Sequence, residues 1–114
     1  MESILTSIKK MLGIVEEYEH FDPDLIMHIN SALSVLTQIG VGPSEGFQIR
    51  DANDSWIDFI PDDSKLQLVK SYIYLKVRLL FDPPQSSAAM TSINQQISEF
   101  EWRLQVAADP IEIS

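Results

Sequence analysis

The segment 86–108 constrains the fold more than any other part of the chain. Its apolar residues Met90, Ile93, Ile97, Phe100, Leu104 and Ala107 recur at alternating steps of three and four. That spacing gathers them into one stripe along an α-helix, because successive side chains turn by about 100° around the axis. A helix with a single apolar seam is held mainly by packing, so the rest of the chain has to supply matching faces. Trp102 projects to the side opposite the seam, near Val106. A large aromatic there needs a cover, either the first helix of the same chain or a neighbouring subunit. Asp109 and Pro110 end the segment and leave a short tail, Ile111-Glu112-Ile113-Ser114.

Matching faces are present upstream. Ile4, Leu5, Ile8, Met11, Leu12 and Val15 predict a short first helix from about Glu2 to Leu12, with Gly13 suited to its end. Phe21-Asp22-Pro23-Asp24 reads as a helix start, in which Asp22 caps free N–H groups, Pro23 occupies the first turn and Asp24 favours the positive end of the dipole. The stripe Ile26, Ile29, Leu33 and Leu36 follows, and Gly40, Gly42 and Pro43 close this second helix. Asp62, Asp63 and Ser64 offer caps for a further helix to Phe81, where Asp82-Pro83-Pro84 stops it. Gln67, Lys70, Ser71, Tyr74 and Arg78 share one polar arc of that helix, and apolar residues cover most of the remainder. So wide an apolar arc predicts a central helix. Lys76 falls inside the arc, either with its stem packed and its amine in water or as half of an ion pair across a subunit contact.

Between Val41 and Asp63 the helical pattern gives way to Gly, Pro, Ser and Asp, with a brief alternation at Phe47 and Ile49 and an apolar cluster at Trp56, Ile57, Phe59 and Ile60. We expect an ordered loop with one strand-like piece and one helical turn, and a connection of this length is more often functional than idle. The expected fold class is mainly α: a small bundle of about four helices, with that loop between the second and third long segments. At 114 residues, 45% of them hydrophobic, one domain over 1–108 and a short tail over 109–114 are expected.

Seventeen acidic residues against eight basic ones give a formal charge of -9, which argues against sequence-specific nucleic-acid binding. An acidic surface nonetheless suits a passage through which DNA slides. The absence of cysteine removes disulfides, thiolate metal sites and cysteine nucleophiles, and fits an intracellular protein. The charged N-terminal stretch lacks the form of a signal peptide, and no run approaches the roughly 18 apolar residues of a spanning helix, so a soluble protein without a membrane role is expected.

Chemistry has little support in the sequence. His20, Asp22, Asp24 and His28 are of ligand type, and Asp24 and His28 could share a helix face, but Asp22 is better used as a cap and His20 sits before the helix begins. Asp51, Asn53, Ser55 and Asp62 echo a calcium loop, which Trp56 spoils where the sharp turn requires glycine. Gly40, Gly42 and Gly46 surround a proline turn with no Lys-Ser/Thr pair after them, so they form no phosphate loop. No catalytic residues, cofactor or metal are expected, and an enzyme would need dispersed carboxylates converging in a pocket.

Four stretches carry a resemblance: Ser3-Ile4-Leu5 to Met11-Leu12-Gly13-Ile14; Phe21-Asp22 through Ile26-Met27-His28-Ile29-Asn30 to Gly40-Val41-Gly42-Pro43; Leu68-Val69-Lys70-Ser71-Tyr72 to Leu79-Leu80-Phe81-Asp82-Pro83-Pro84; and Ile97-Ser98-Glu99-Phe100-Glu101-Trp102-Arg103-Leu104. Over nearly its whole length the chain resembles the small head-tail connector proteins, also called adaptor or head-completion proteins, of long-tailed phages and prophages of Gram-positive bacteria. The resemblance implies a non-catalytic helical bundle without a cofactor, whose copies form a ring. That ring would dock on the portal protein and extend the DNA channel towards a stopper or tail-completion protein. It also implies assembly in the host cytoplasm, a final place in the virion, and a C-terminal segment reaching into the portal, although only a short stretch follows Asp109 here. On this reading Trp102, Val106 and Lys76 are candidate subunit contacts, and Phe47, Ile49, Trp56 and Phe59 belong to a loop facing the lumen or an adjoining ring. The competing reading is a small acidic regulatory module, of inhibitor or antitoxin type, that presents a helix face to one partner.

Overall fold

The computed structural model describes residues 2–61 and 63–108. Among them are five helices: α1 (Ile4–Met11), α2 (Asp22–Ile39), α3 (Trp56–Phe59), α4 (Leu66–Phe81) and α5 (Ser87–Ala108), with a 3-10 turn at Asp63–Lys65 leading into α4. No strand occurs among the described residues, only an isolated antiparallel bridge between Ser3 and Ser55. The expected mainly helical bundle is the observed one. The tail 109–114 and the cap expected from Asp62 lie outside the described residues.

Helix α4 is central, packing on α1, α2 and α5. Val69, Tyr72, Ile73, Leu75 and Val77 are buried around more than half of its circumference, as the wide apolar arc requires. Two adjacent contacts fix where the flanking helices lie. Lys70 pairs with Glu2, next to α1, whereas the Tyr72 hydroxyl donates to Glu101 Oε2 on α5 at 2.7 Å. Two residues along a helix turn the side chain by about 200°, so α1 and α5 occupy opposite flanks of α4. Helix α2 closes the bundle over both.

The helix ends follow local chemistry in three cases. Ser3 caps α1, its Oγ accepting from the Thr6 N–H at 3.2 Å. Gly40 closes α2 at φ +102°, a left-handed conformation that lets the Val41 N–H donate back to the Leu36 carbonyl at 2.8 Å. Ser86 caps α5 by accepting from the Ala89 N–H at 3.2 Å.

Three expectations are corrected. Asp22 is the first residue of α2 and makes no cap; Phe21 precedes the helix, and the Asp22 carboxylate turns to Lys9 instead. The innermost stripe of α2 is Leu25, Ile29, Ala32, Leu33 and Leu36, with Ile26 at its edge. At the end of α5 the seam continues from Leu104 to Ala108, which packs on the core beside Gly40, while Ala107 is exposed. A step of four rather than three keeps the last turn aimed at the end of α2.

Candidate functional site

The connection between α2 and α4, which includes the single turn α3, is built as part of the core. Val41, Ile49, Trp56, Phe59 and Ile60 are all buried. Phe47 and Ile49 form no ladder. The Asn30 side chain takes the place of a neighbouring strand: its Oδ1 accepts from the Ile49 N–H at 2.8 Å and its Nδ2 donates to the Ile49 carbonyl at 3.0 Å. One amide thus satisfies both backbone groups of a buried residue, which would otherwise be orphaned. Gly42, at φ +85°, lies so close to the Phe59 ring that an added Cβ would fall 2.4 Å from it.

The acidic residues of this loop close turns. Asp54 Oδ2 accepts from the Arg50 N–H at 2.7 Å, Asp51 Oδ1 from the Asn53 N–H at 2.8 Å, and Asp58 Oδ2 from the Ser55 N–H at 3.2 Å. Carboxylates engaged in this way do not converge on a cation. Among the described residues no three His, Asp or Glu side chains are grouped as metal ligands, and no helix is long and apolar enough to cross a membrane.

Polar contacts fasten α1 to the rest of the chain. The Trp56 indole N–H donates to Ser7 Oγ at 2.9 Å inside the protein, and Lys70 Nζ stands 5.6 Å above the Trp56 ring while pairing with Glu2. The Lys70 hydrogen bond holds the Glu2 carboxyl below its usual range, a stronger influence than the opposing desolvation. Lys9, only 2% exposed, donates to the Glu16 carbonyl at 2.8 Å and lies 2.9 Å from Asp22 Oδ1. The Asp22 contact is a charge contact rather than an aligned hydrogen bond, since that oxygen has no hydrogen-bond partner. One buried ammonium therefore ties the start of α2 to the 13–17 segment.

On the other flank α5 is held by apolar burial. Ile93, Ile97 and Leu104 are buried, with Met90 and Phe100 half-buried beside them. Tyr72 supplies the polar link to Glu101, and burial, reinforced by that carboxylate, pushes the Tyr72 hydroxyl far above its usual range. On the outer side of α5, Trp102 is 65% exposed and Val106 53% exposed, flanked by the Glu99–Arg103 pair at 2.6 Å. Helix α1 does not cover Trp102, because it lies across α4.

The sequence-expected residues are therefore spread over three environments. Trp102 and Val106 stand together on an open helix face. Ile49, Trp56 and Phe59 are core side chains at 2, 3 and 1% exposure, so they have almost no surface for a partner; half-buried Phe47 packs on Phe59 with ring centroids 5.4 Å apart. Lys76 is partly buried and has no ion-pair partner among the described residues. Sequence reasoning missed Lys9 as a structural centre. Its only sequence signal is a lysine beside the apolar stripe of α1, and its partners lie 7 and 13 residues further along.

These features define a small helical protein distinguished by open apolar helix faces rather than by a gathered set of reactive groups. Residues 4–110 match the family model described as phage connector protein, and the chain belongs to that family. The membership makes it a structural protein of the phage head-tail junction. No curated protein and no solved structure matches the chain.

Proposed function

We propose that this chain is the repeating subunit of a homo-oligomeric ring that docks on the portal protein and carries the DNA channel towards the stopper or tail-completion protein. The subunit is a single connector domain over 1–108 with a short tail over 109–114. It has no catalytic role, needs no cofactor, assembles in the host cytoplasm and ends at the head-tail interface of the virion. DNA passes through the lumen without being read, in keeping with a chain of net charge -9.

The observation that carries the ring reading is the exposure of Trp102 beside Val106 on the outer side of α5, within a chain of the connector family. Buried aromatics near the centre of a contact commonly dominate association energies, and a lone monomer gains nothing from holding one in water. Lys76 remains a candidate for an ion pair across the same assembly. Phe47, at the rim of the loop, is the loop residue best placed to meet an adjoining ring.

The test is co-sedimentation of the purified protein with the portal oligomer from the same genome, repeated with Trp102→Ala. Saturation at one copy per portal subunit, weakened by the substitution, is the expected result. No association across a range of salt and protein concentrations would reject the ring in favour of the regulatory module.

A further inference from the structure

We infer that the open groove at the end of the bundle receives this chain's own tail, with Ile111 and Ile113 against Ile57 and Ile60 and an acidic side chain of the tail against Lys65. Such docking belongs to the isolated subunit and is independent of the ring reading above.

The first support is position. The groove, of about 480 Å³, lies between Gly40, Gly42 and Pro43 after α2 and Ile57, Ile60 and Lys65 before α4. The short connection from Phe81 to Ser87 makes α4 and α5 antiparallel neighbours, and the Tyr72–Glu101 bond sets their register. Seven residues back along α4 from Tyr72 is Lys65, and seven forward along α5 from Glu101 is Ala108. With equal rise on both helices, Lys65 and Ala108 stand level at the same end of the bundle. The backbone agrees at Gly40, where an added Cβ would fall 3.5 Å from the Ala108 side chain. Helix α5 therefore ends at the edge of the groove.

The second support is reach and pattern. Pro110 lacks an N–H and disfavours a helical conformation at Asp109, so the sequence has a reason to leave the axis of α5 there. The six residues from Asp109 to Ser114 span about 20 Å when extended, enough to cross a groove that begins beside Ala108. Ile111 and Ile113 alternate with Glu112, so an extended tail sets both isoleucines on one side. Tethering raises the effective concentration of the tail at the groove to the order of millimolar, which favours it over the tail of another copy.

The third support is what the groove offers. Ile57 is 51% exposed on a turn whose Trp56 and Phe59 are buried, and covering it with isoleucine removes apolar surface from water. Gly40 and Gly42 put no side chain on the facing rim, which leaves room for a strand of chain. Lys65 has no ion-pair partner among the described residues. The Asp58 carboxylate, also at the groove, is engaged by the Ser55 N–H at 3.2 Å. An apolar floor beside an unpaired cation matches a tail that carries two isoleucines with Asp109 and Glu112.

The test uses the absence of cysteine from the chain. Ser114→Cys is combined with Ile57→Cys in the groove or with Gln38→Cys, an exposed position two residues before Gly40 and outside the groove. Each full chain is oxidised at low protein concentration without portal, after circular dichroism has checked its fold. The expected result is an internal disulfide that forms at least about tenfold faster with Ile57→Cys than with Gln38→Cys. That advantage should be reduced by Lys65→Glu and removed by Ile111→Asp with Ile113→Asp. Equal rates at the two positions would overturn the inference, as would an advantage that survives both aspartates. Disulfide-linked dimers in place of the internal bond would also overturn it, and would assign the groove to the tail of a second copy. Because no portal is present, each of these failures leaves the ring reading intact.

Discussion

The two flanks of α4 are held by different forces. On the N-terminal flank, charged and polar side chains fasten α1: Lys9 to the Glu16 carbonyl and Asp22, Lys70 to Glu2, Trp56 to Ser7. On the C-terminal flank, α5 is held by the seam of Ile93, Ile97 and Leu104, with the Tyr72–Glu101 bond as a polar addition. An eight-residue helix has too few turns to bury a long seam, so directional contacts define its position. A helix of 22 residues buries enough on one side to leave its other side free for Trp102.

If that contrast is right, the largest effect should follow from a cut in the α5 seam. Leu104→Ala removes a fully buried side chain and should cost about 2–5 kcal/mol in urea unfolding. Asp22→Ala should come next, at about 2–3 kcal/mol, because it leaves the Lys9 ammonium buried without its counter-charge; the partial exposure of Asp22 keeps the loss below that of a fully enclosed pair. Lys9→Met should cost less than Asp22→Ala, since the remaining carboxylate can reach water. Losses within about half a kcal/mol from both would show that the Lys9 contact is not what holds this flank.

Tyr72→Phe should cost about 1 kcal/mol, the worth of one hydrogen bond to a carboxylate that keeps some solvent. Glu2→Gln tests the weakest fastening. A carboxyl held below its usual range contributes stability that is present above its unfolded value and lost as the pH falls through the lowered folded one. The variant should therefore differ from the parent by a few tenths of a kcal/mol at neutral pH, since Glu2 is largely in water, and the difference should fade as the pH drops from the ordinary carboxylate range through the lowered folded value. Smallest for stability is Trp102→Ala, within about half a kcal/mol, although it should show the largest loss of self-association.

Much of the bundle was legible because it depends on near neighbours in sequence. The three- and four-residue steps in α1, α2 and α5, the stop at Asp82-Pro83-Pro84 and the glycine at the end of α2 are local signals, and each helix formed within a few residues of its expected bounds. The wide arc of α4 likewise announced a helix with neighbours around most of its circumference. Less was legible at the candidate site. Trp102 stood out because its position opposite a clean seam is periodic information. Trp56 and Phe59 looked equally available, since an apolar cluster in an irregular loop reads the same whether it faces a partner or its own core.

By itself, then, the sequence determined which segments coil, which face of each is apolar, and that Trp102 lies on the wrong side of its helix for the core. The tertiary structure alone decided that Asn30 stands in for a strand beside Ile49, that Asp22 serves Lys9 rather than its own helix, that the loop aromatics point inward, and that α1 and α5 lie on opposite flanks of α4. The reason is range: helix periodicity repeats within four residues, whereas each of those contacts joins groups that only folding brings together.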